Sequence, residues 1–366
     1  MRTVLTPTLV LLVFTATTLW ADNKDRLDND KKDTFELVGG KTLPEWIKEL
    51  NHLDPSQKRD AIQAVQMFKD NYDCTKTLIY ILRNDPDSTL RSNAAVALMN
   101  VGVSPGDVPK VIEALTEQME KNFQVSLRYY CAMALGRFGG DAKNAMLPLI
   151  RATTDKGSWE IRQAACMSLT RIFTDPDEKV DVDLRAVRAF VVALNDPAAK
   201  VRQEALIGIL SMGVPSDRDL QQQLIAQLLK RLQDKEKFIV VWAYYGLLMN
   251  TGVNDTYLNA LTNLLKKGDV PTRVQAIRAL GMLGKDAKSK IPDIVAAVAD
   301  SDQLVAGTAC MTLATMNEKI STGQASIDAV KKLLDEKKPD DPMRKHIQHF
   351  YDVLTGKKAL GKTDKR

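Results

Sequence analysis

Eight side chains suited to gripping a partner recur at fixed offsets along this sequence: Tyr129, Met133, Arg137, Met167, Arg171, Trp242, Asn250 and Arg278. Each stands one, five or nine residues after a recurring marker position, most often an arginine. Offsets separated by four keep residues on one stripe of a helix. Tyr, Trp, Met and Arg supply much of the energy of protein interfaces, combining broad apolar contact with a few directed polar groups. The chemistry on offer is binding. Met133, Met167 and Ile207 also have a plainer reading, as packing between adjacent helices.

Catalytic and metal chemistry is thinly represented. The three histidines are His52, His346 and His349. His346 and His349 could share a helix face as metal ligands, but no third ligand stands at matching spacing, so a solvated face is expected. The acidic stretch FTDPDEKVDVD, residues 173–183, places Asp175, Asp177, Glu178, Asp181 and Asp183 together. A helix-loop-helix calcium loop needs Gly at its sixth place and a bidentate acid at its twelfth, where this segment has Val180 and Ala186. A solvated loop is expected there. No phosphate loop, nucleophile elbow or triad pattern occurs, and no cofactor is implied.

The four cysteines have no CxxC spacing. Cys131, Cys166 and Cys310 fall on apolar helix stripes, where they serve as small buried hydrophobes rather than disulfide partners. Cys74 stands apart from that pattern.

Chain-wide features set the frame for these residues. With 45% hydrophobic and 27% charged residues, the composition is that of a folded chain, and its low aromatic content favours helices over sheet. A formal net charge of +5 over 366 residues is too small to imply a nucleic-acid partner. Residues 1–21 read as an export leader: Arg2, an apolar run over Val4–Leu19, then Leu19-Trp20-Ala21 before a cleavage point. An exported chain, periplasmic or secreted, is expected, with an uncleaved N-terminal anchor as the alternative. No later run approaches the roughly 20 apolar residues of a membrane span. Residues 22–41 are dense in charge and read as a flexible linker, and 357–366 as a basic flexible tail. Thr42-Leu43-Pro44-Glu45 opens the first helix.

From residue 42 to 356 the chain repeats itself. The marker stands at Arg91 (TLRSNAAVALMNVG), Arg128 (SLRYYCAMALGRFG), Arg162 (EIRQAACMSLTRIF), Arg202 (VRQEALIGILSMG) and Arg273 (PTRVQAIRALGMLG). Val241 and Ala306 replace it in two copies, Lys58 holds it in the first, and Arg344 in the diverged last. Markers from 91 to 344 are 37, 34, 40, 39, 32, 33 and 38 residues apart, the period of stacked helix pairs. An upstream amphipathic helix precedes each marker helix. Asp54-Pro55, Asp85-Pro86 and Asp196-Pro197 turn the chain between the two. Small pairs such as Ala94-Ala95 and Cys131-Ala132 let helices approach, and Leu98, Leu135, Leu169, Leu280 and Leu313 fill the layers between them. Gly102, Gly139, Gly213, Gly252 and Gly284 are expected to close marker helices with left-handed caps.

These units resemble HEAT repeats, including the bacterial HEAT-like units of phycobilin lyases, over about 43–356. The resemblance implies an all-α, right-handed α-solenoid of about eight to nine helix pairs. It also implies a ladder of turn aspartates and helix arginines between repeats, matched here by Asp85 with Arg91 and Asp196 with Arg202, and interrupted at Val241 and Ala306. The second helices would line the concave side, where partners of such solenoids dock. The IVVWAYYG copy is the most aromatic, and Trp242 and Arg137 are expected at the surface.

The function expected is a non-catalytic scaffold that binds a protein or peptide on that face. Two alternatives stand beside it. One is a HEAT-like enzyme of the phycobilin-lyase or DNA-glycosylase type; a glycosylase would need a basic phosphate-binding groove, and the iron-binding His-Glu pairs of the HEAT-repeat hydroxylases are absent. The other is a structural subunit of an envelope assembly.

Overall fold

The computed structural model describes residues 37–68, 72–174, 183–320, 323–339 and 341–357. The leader at 1–21, most of the charged segment before Thr42, the acidic residues 175–182 and the tail from 358 lie outside the described residues. The chain divides into two compact units after Pro215. Among the described residues the secondary structure is helical, apart from an isolated bridge between Val38 and Lys41.

Each unit is an array of helix pairs. The first holds Leu43–Glu49 with Pro55–Ala64, Thr75–Asn84 with Ser88–Asn100, Val108–Lys121 with Val125–Arg137, Met146–Ala152 with Trp159–Phe173, and Leu184–Ala193 with Ala199–Met212. The second holds Arg218–Arg231 with Lys237–Thr251, Asp255–Lys267 with Val270–Leu283, Ile291–Ala297 with Gln303–Ile320, and Gly323–Asp335 with Pro342–Leu354. Within a unit, second helices pack on second helices, as Val125–Arg137 does on Trp159–Phe173, while first helices pack on first helices. This is the all-α solenoid arrangement that the repeat predicts.

The fold begins slightly before Thr42. Trp46 Nε1 donates to the Val38 carbonyl at 2.7 Å, and Lys41 pairs with Glu49 at 2.8 Å. Residues 37–41, expected as linker, therefore already take part in packing.

One device turns the chain inside most pairs. An aspartate or asparagine after the first helix accepts through Oδ1 from the backbone N–H two residues on: Asp85 from Asp87 at 2.9 Å, Asn122 from Gln124 at 3.0 Å, Asp155 from Gly157 at 2.9 Å, Asp196 from Ala198 at 2.8 Å, Asp234 from Glu236 at 3.1 Å and Asp300 from Asp302 at 2.9 Å. Such a turn replaces the backbone bonds that the ending helix gives up.

The second carboxylate oxygen then reaches the neighbouring repeat. Asp85 takes Lys58 at 2.6 Å, Asp155 takes Arg128 at 2.6 Å, Asp196 takes Arg162 at 2.5 Å and Asp300 takes Arg273 at 3.0 Å. The ladder pairing expected from sequence is thereby shifted by one repeat. Arg91 and Arg202 bind the carbonyls of Asp85 and Asp196 in their own turns, at 2.6 and 2.9 Å. The carboxylates belong to the cation of the preceding repeat. Val241 and Ala306 are buried apolar residues at that position.

Layer filling follows expectation. Leu98, Leu135, Leu169, Leu280 and Leu313 are buried, each contributing about 1.5–3 kcal/mol by removal from water. Close helix approaches also lie further along than the small pairs after the marker. Position eight of one marker helix meets position six of the next, with glycine against a hydroxyl residue. A Cβ on Gly136 would stand 2.8 Å from Ser168 Cα, one on Gly208 2.8 Å from Thr170 Oγ1, and one on Gly281 2.3 Å from Thr312 Cγ2. At the helix ends, Gly139, Gly213, Gly252 and Gly284 have positive φ, as predicted. Gly102 does not; Val101 caps that helix, and the Tyr72 ring packs on Gly102.

Candidate functional site

Helices Val125–Arg137, Trp159–Phe173 and Ala199–Met212 stand side by side in the first unit, each packed on the next. Their buried stripes face the first helices and one another: Leu127, Cys131 and Leu135; Ile161, Ala165 and Leu169; Val201, Ala205 and Ile209. That leaves positions one, five and nine after the marker on a face that stays partly in solvent. Tyr129, Met133, Gln163, Met167, Gln203 and Ile207 are half-buried, while Arg137 and Arg171 are exposed. Five of the eight residues predicted from sequence therefore share one surface. Because both methionines keep part of their surface in water, packing between helices uses only part of each.

The middle helix is gripped on both sides. Ser168 Oγ donates to the Ala132 carbonyl at 2.7 Å, at the close approach permitted by Gly136. On the other side Thr170 meets Gly208. These contacts fix where Arg171, three residues after Ser168, stands relative to Arg137 and to Glu204.

Electrostatics tie the cluster together. Partial burial holds the pKa of Arg171 below its ordinary value, and the like charge of Arg137 acts in the same direction; Glu204 and Tyr129 oppose both. Burial raises the Glu204 carboxyl, against the hydrogen bond from Gln163 Nε2 at 3.4 Å and the charges of Arg171 and Lys200. Burial also raises the Tyr129 hydroxyl, with Tyr130 adding to the effect. The two rings meet edge to face at 5.2 Å. Glu204 stands at offset two, off the positions one, five and nine whose spacing marks the face in the sequence. Its signal is a carboxylate where the copies on either side carry Ala164 and Ala243.

The remaining three predicted residues lie in the second unit and do not form a matching surface. Trp242, expected at the surface, is fully buried. Its indole Nε1 donates to Gln275 Oε1 at 3.2 Å, and its ring lies 5.4 Å from that of Tyr245. With Val241 in place of arginine, the stretch Ile239–Ala243 is apolar and buried throughout, and Trp242 goes inward with it. Asn250 is half-buried and its side-chain amide turns to its own helix, donating to the Gly246 carbonyl at 2.8 Å, while its main-chain carbonyl accepts from Gln221 Nε2 at 3.2 Å. Arg278 is half-buried, and burial lowers its pKa.

Other candidates resolve into structure. His52 Nδ1 accepts from the Asp54 N–H at 3.0 Å. His346 and His349 lie on helix Pro342–Leu354, and among the described residues no group of three or more His, Cys, Asp or Glu could hold a metal ion. All four cysteines are buried thiols, as read from sequence for three of them. Burial pushes Cys74 and Cys310 up to about 12. An open depression of about 760 Å³ beside helix Val108–Lys121 is acidic. Its Glu113 and Glu117 face Arg83 at 3.4 and 3.3 Å, and its Glu120 pairs with Arg151. Among the described residues no helix is long and apolar enough to cross a membrane.

Comparison with known proteins supports the architecture. No curated protein matches the chain. Among solved structures, YibA of Escherichia coli aligns over 74% of this chain and 91% of its own, with a TM-score of 0.51 and 18% identity, a likeness of fold. The complex of CpcE and CpcF of phycocyanin lyase from Nostoc sp. PCC7120 aligns over 89% and 100%, with a TM-score of 0.41 and 16% identity. The family described as HEAT repeats matches residues 43–124 and 258–348, one stretch in each unit. The intervening pairs repeat the same Asx turns and ion-pair ladder, and the chain is a HEAT-repeat protein.

Proposed function

We propose that the chain is a non-catalytic scaffold that binds a protein or peptide on the face formed by helices Val125–Arg137, Trp159–Phe173 and Ala199–Met212. One observation carries this reading: Tyr129, Met133, Arg137, Met167 and Arg171 share a single partly solvated surface on a rigidly gripped helix set. Aromatic, thioether and guanidinium groups on rigid elements have the composition of an interface core and its rim. The leader-like residues 1–21 support export, which puts the partner outside the cytoplasm.

The test is capture of partners from the native compartment by the full chain. Tyr129→Ala and Arg137→Ala are expected to lose partners that Arg185→Ala, on a first helix, retains. Identical partner sets for all three would sink the reading.

A further inference from the structure

We infer that one edge of the first unit, made by the turns inside its third, fourth and fifth helix pairs, rests on an anionic lipid surface. Phe123 and Trp159 enter the headgroup layer there, and Lys121, Lys156 and Lys200 meet the phosphates. Phe123 stands at the tip of its turn and is 99% exposed. Val125 and Trp159, the first residues of helices Val125–Arg137 and Trp159–Phe173, are 43% and 41% exposed. Those two helices pack on each other, and Ala199–Met212 packs on the second of them. Packed helices lie about 8–10 Å apart, so the three turns form one row.

Charge selects the occupant. Lys121, Lys156 and Lys200 are exposed at these turns. The carboxylates beside them are engaged: Asp155 by Arg128 at 2.6 Å, Asp196 by Arg162 at 2.5 Å, Glu120 by Arg151, and Glu160 by the Ser158 hydroxyl at 2.6 Å. Lys121 shares Glu117 at 3.3 Å in an exposed pair of little energy, and Lys200 stands one helical turn before Glu204. The first two pairs differ. Residues 51–57 and 84–90 contain no lysine, and Asp54 and Asp87 cap the helices that follow. Leu53, 96% exposed at the first of these turns, therefore lacks the cations that flank Phe123.

The apolar side chains project singly from turns instead of lining a groove, which favours a lipid surface over an acidic protein. A fluid interface seats separate tips, with aromatic rings at headgroup level and lysine stems reaching the phosphates. A protein would need a matching pocket for each tip. Asn122 Oδ1 already holds the Gln124 N–H at 3.0 Å, and Asp155 Oδ1 holds those of Gly157 and Ser158 at 2.9 and 3.0 Å. These donors need no water when the tips leave it.

The experiment is sedimentation of the full chain with vesicles of equimolar phosphatidylglycerol and phosphatidylcholine, against vesicles of phosphatidylcholine alone. Binding is expected on the anionic vesicles, falling with added salt, and about a hundredfold weaker on the neutral ones. Phe123→Ser should weaken it about tenfold. Lys121→Gln, Lys156→Gln and Lys200→Gln together should weaken it about a hundredfold, near fivefold for each lysine. Met67→Ser, which removes an exposed apolar side chain at the other end of a helix pair, should bind like the parent. Emission of Phe123→Trp should be quenched by vesicles with brominated acyl chains more than the parent's. Unchanged circular dichroism and thermal midpoints confirm that the variants fold. No sedimentation, equal binding to both vesicle types, or binding indifferent to Phe123→Ser or to the lysine variant overturns the inference. Retention on immobilised polyglutamate without vesicle binding would assign the edge to an acidic protein and overturn it too.

Discussion

Trp242 Nε1 and Gln275 Oε1, 3.2 Å apart, join offset one of a marker helix to offset two of the next. Gln163 and Glu204 stand in the same relation in the first unit, at 3.4 Å. One register thus serves two purposes. In the second unit the donor is an aromatic ring sealed in the core, and the bond satisfies its only polar atom. In the first, the acceptor is a carboxylate on a partly open surface.

Trp242 is therefore a stability residue. Trp242→Ala is expected to destabilise the second unit by about 3–5 kcal/mol through loss of buried ring area and a residual cavity. Trp242→Phe should cost less, while leaving Gln275 without its donor. Urea unfolding followed by circular dichroism reads both. A Trp242→Ala variant with parental stability would contradict the buried placement.

The ladder makes a second prediction. Arg162 is only 15% exposed and Asp196 7%, and Arg162 makes two bonds to that carboxylate and one to the Asp155 carbonyl. Arg162→Ala strands a buried carboxylate and should cost about 2–3 kcal/mol in chemical denaturation. Arg185→Ala removes an exposed pair with Asp183, and its urea midpoint should stay near the parent's.

Period and residue type carried the architecture because every repeat must bury the same stripe against its neighbours. The marker arginines, the Asp turns and the layer leucines are repeated solutions to one packing problem, so they stand out without coordinates. Two things were hidden. Which repeat supplies the cation to Asp85 or Asp196 depends on the stacking of pairs, and spacing along the chain does not encode it. The direction of Trp242 depends on whether its copy keeps a polar edge, which the loss of arginine at Val241 removes. On the first-unit face, offsets one, five and nine put Tyr129, Met133, Arg137, Met167 and Arg171 on the partly solvated sides of two adjacent helices, and Glu204 at offset two lies off that set.

The glycine–hydroxyl contacts separate backbone from side-chain crowding. Gly281→Ala drives a methyl into Thr312 Cγ2 at 2.3 Å, whereas Thr312 Cβ is 3.5 Å away. The cost, about 1–3 kcal/mol, should be largely recovered in Gly281→Ala with Thr312→Ala. Gly136→Ala meets Ser168 Cα itself at 2.8 Å. Ser168→Ala should not rescue it. A double-mutant cycle by denaturant unfolding distinguishes the two cases.

Thiol accessibility tests core placement. Cys74, Cys131, Cys166 and Cys310 are each at most 2% exposed, and burial raises all four pKa values. Thiolate, the reactive form, is therefore scarce as well as shielded. A maleimide should label none of them in the folded chain and all four in denaturant, counted by intact mass. Labelling in the native state would place that cysteine outside the core.

Glu204 gives the pH dependence of the site. Burial raises its folded-state pKa above that of the unfolded chain, so the folded state holds the proton more tightly. Stability then falls as pH rises from the ordinary glutamate range through the raised value, and levels off beyond it. Glu204→Gln keeps an amide oxygen for Gln163 and removes the charge. Its thermal midpoint should exceed the parent's at about pH 8, with the difference closing toward about pH 4. Arg171→Met removes an attraction that favours the ionised form, so in the parent background it should steepen the loss of stability with pH. Thermal scans of the three proteins across this range check both statements, and parallel curves would show that the carboxyl is as well solvated folded as unfolded.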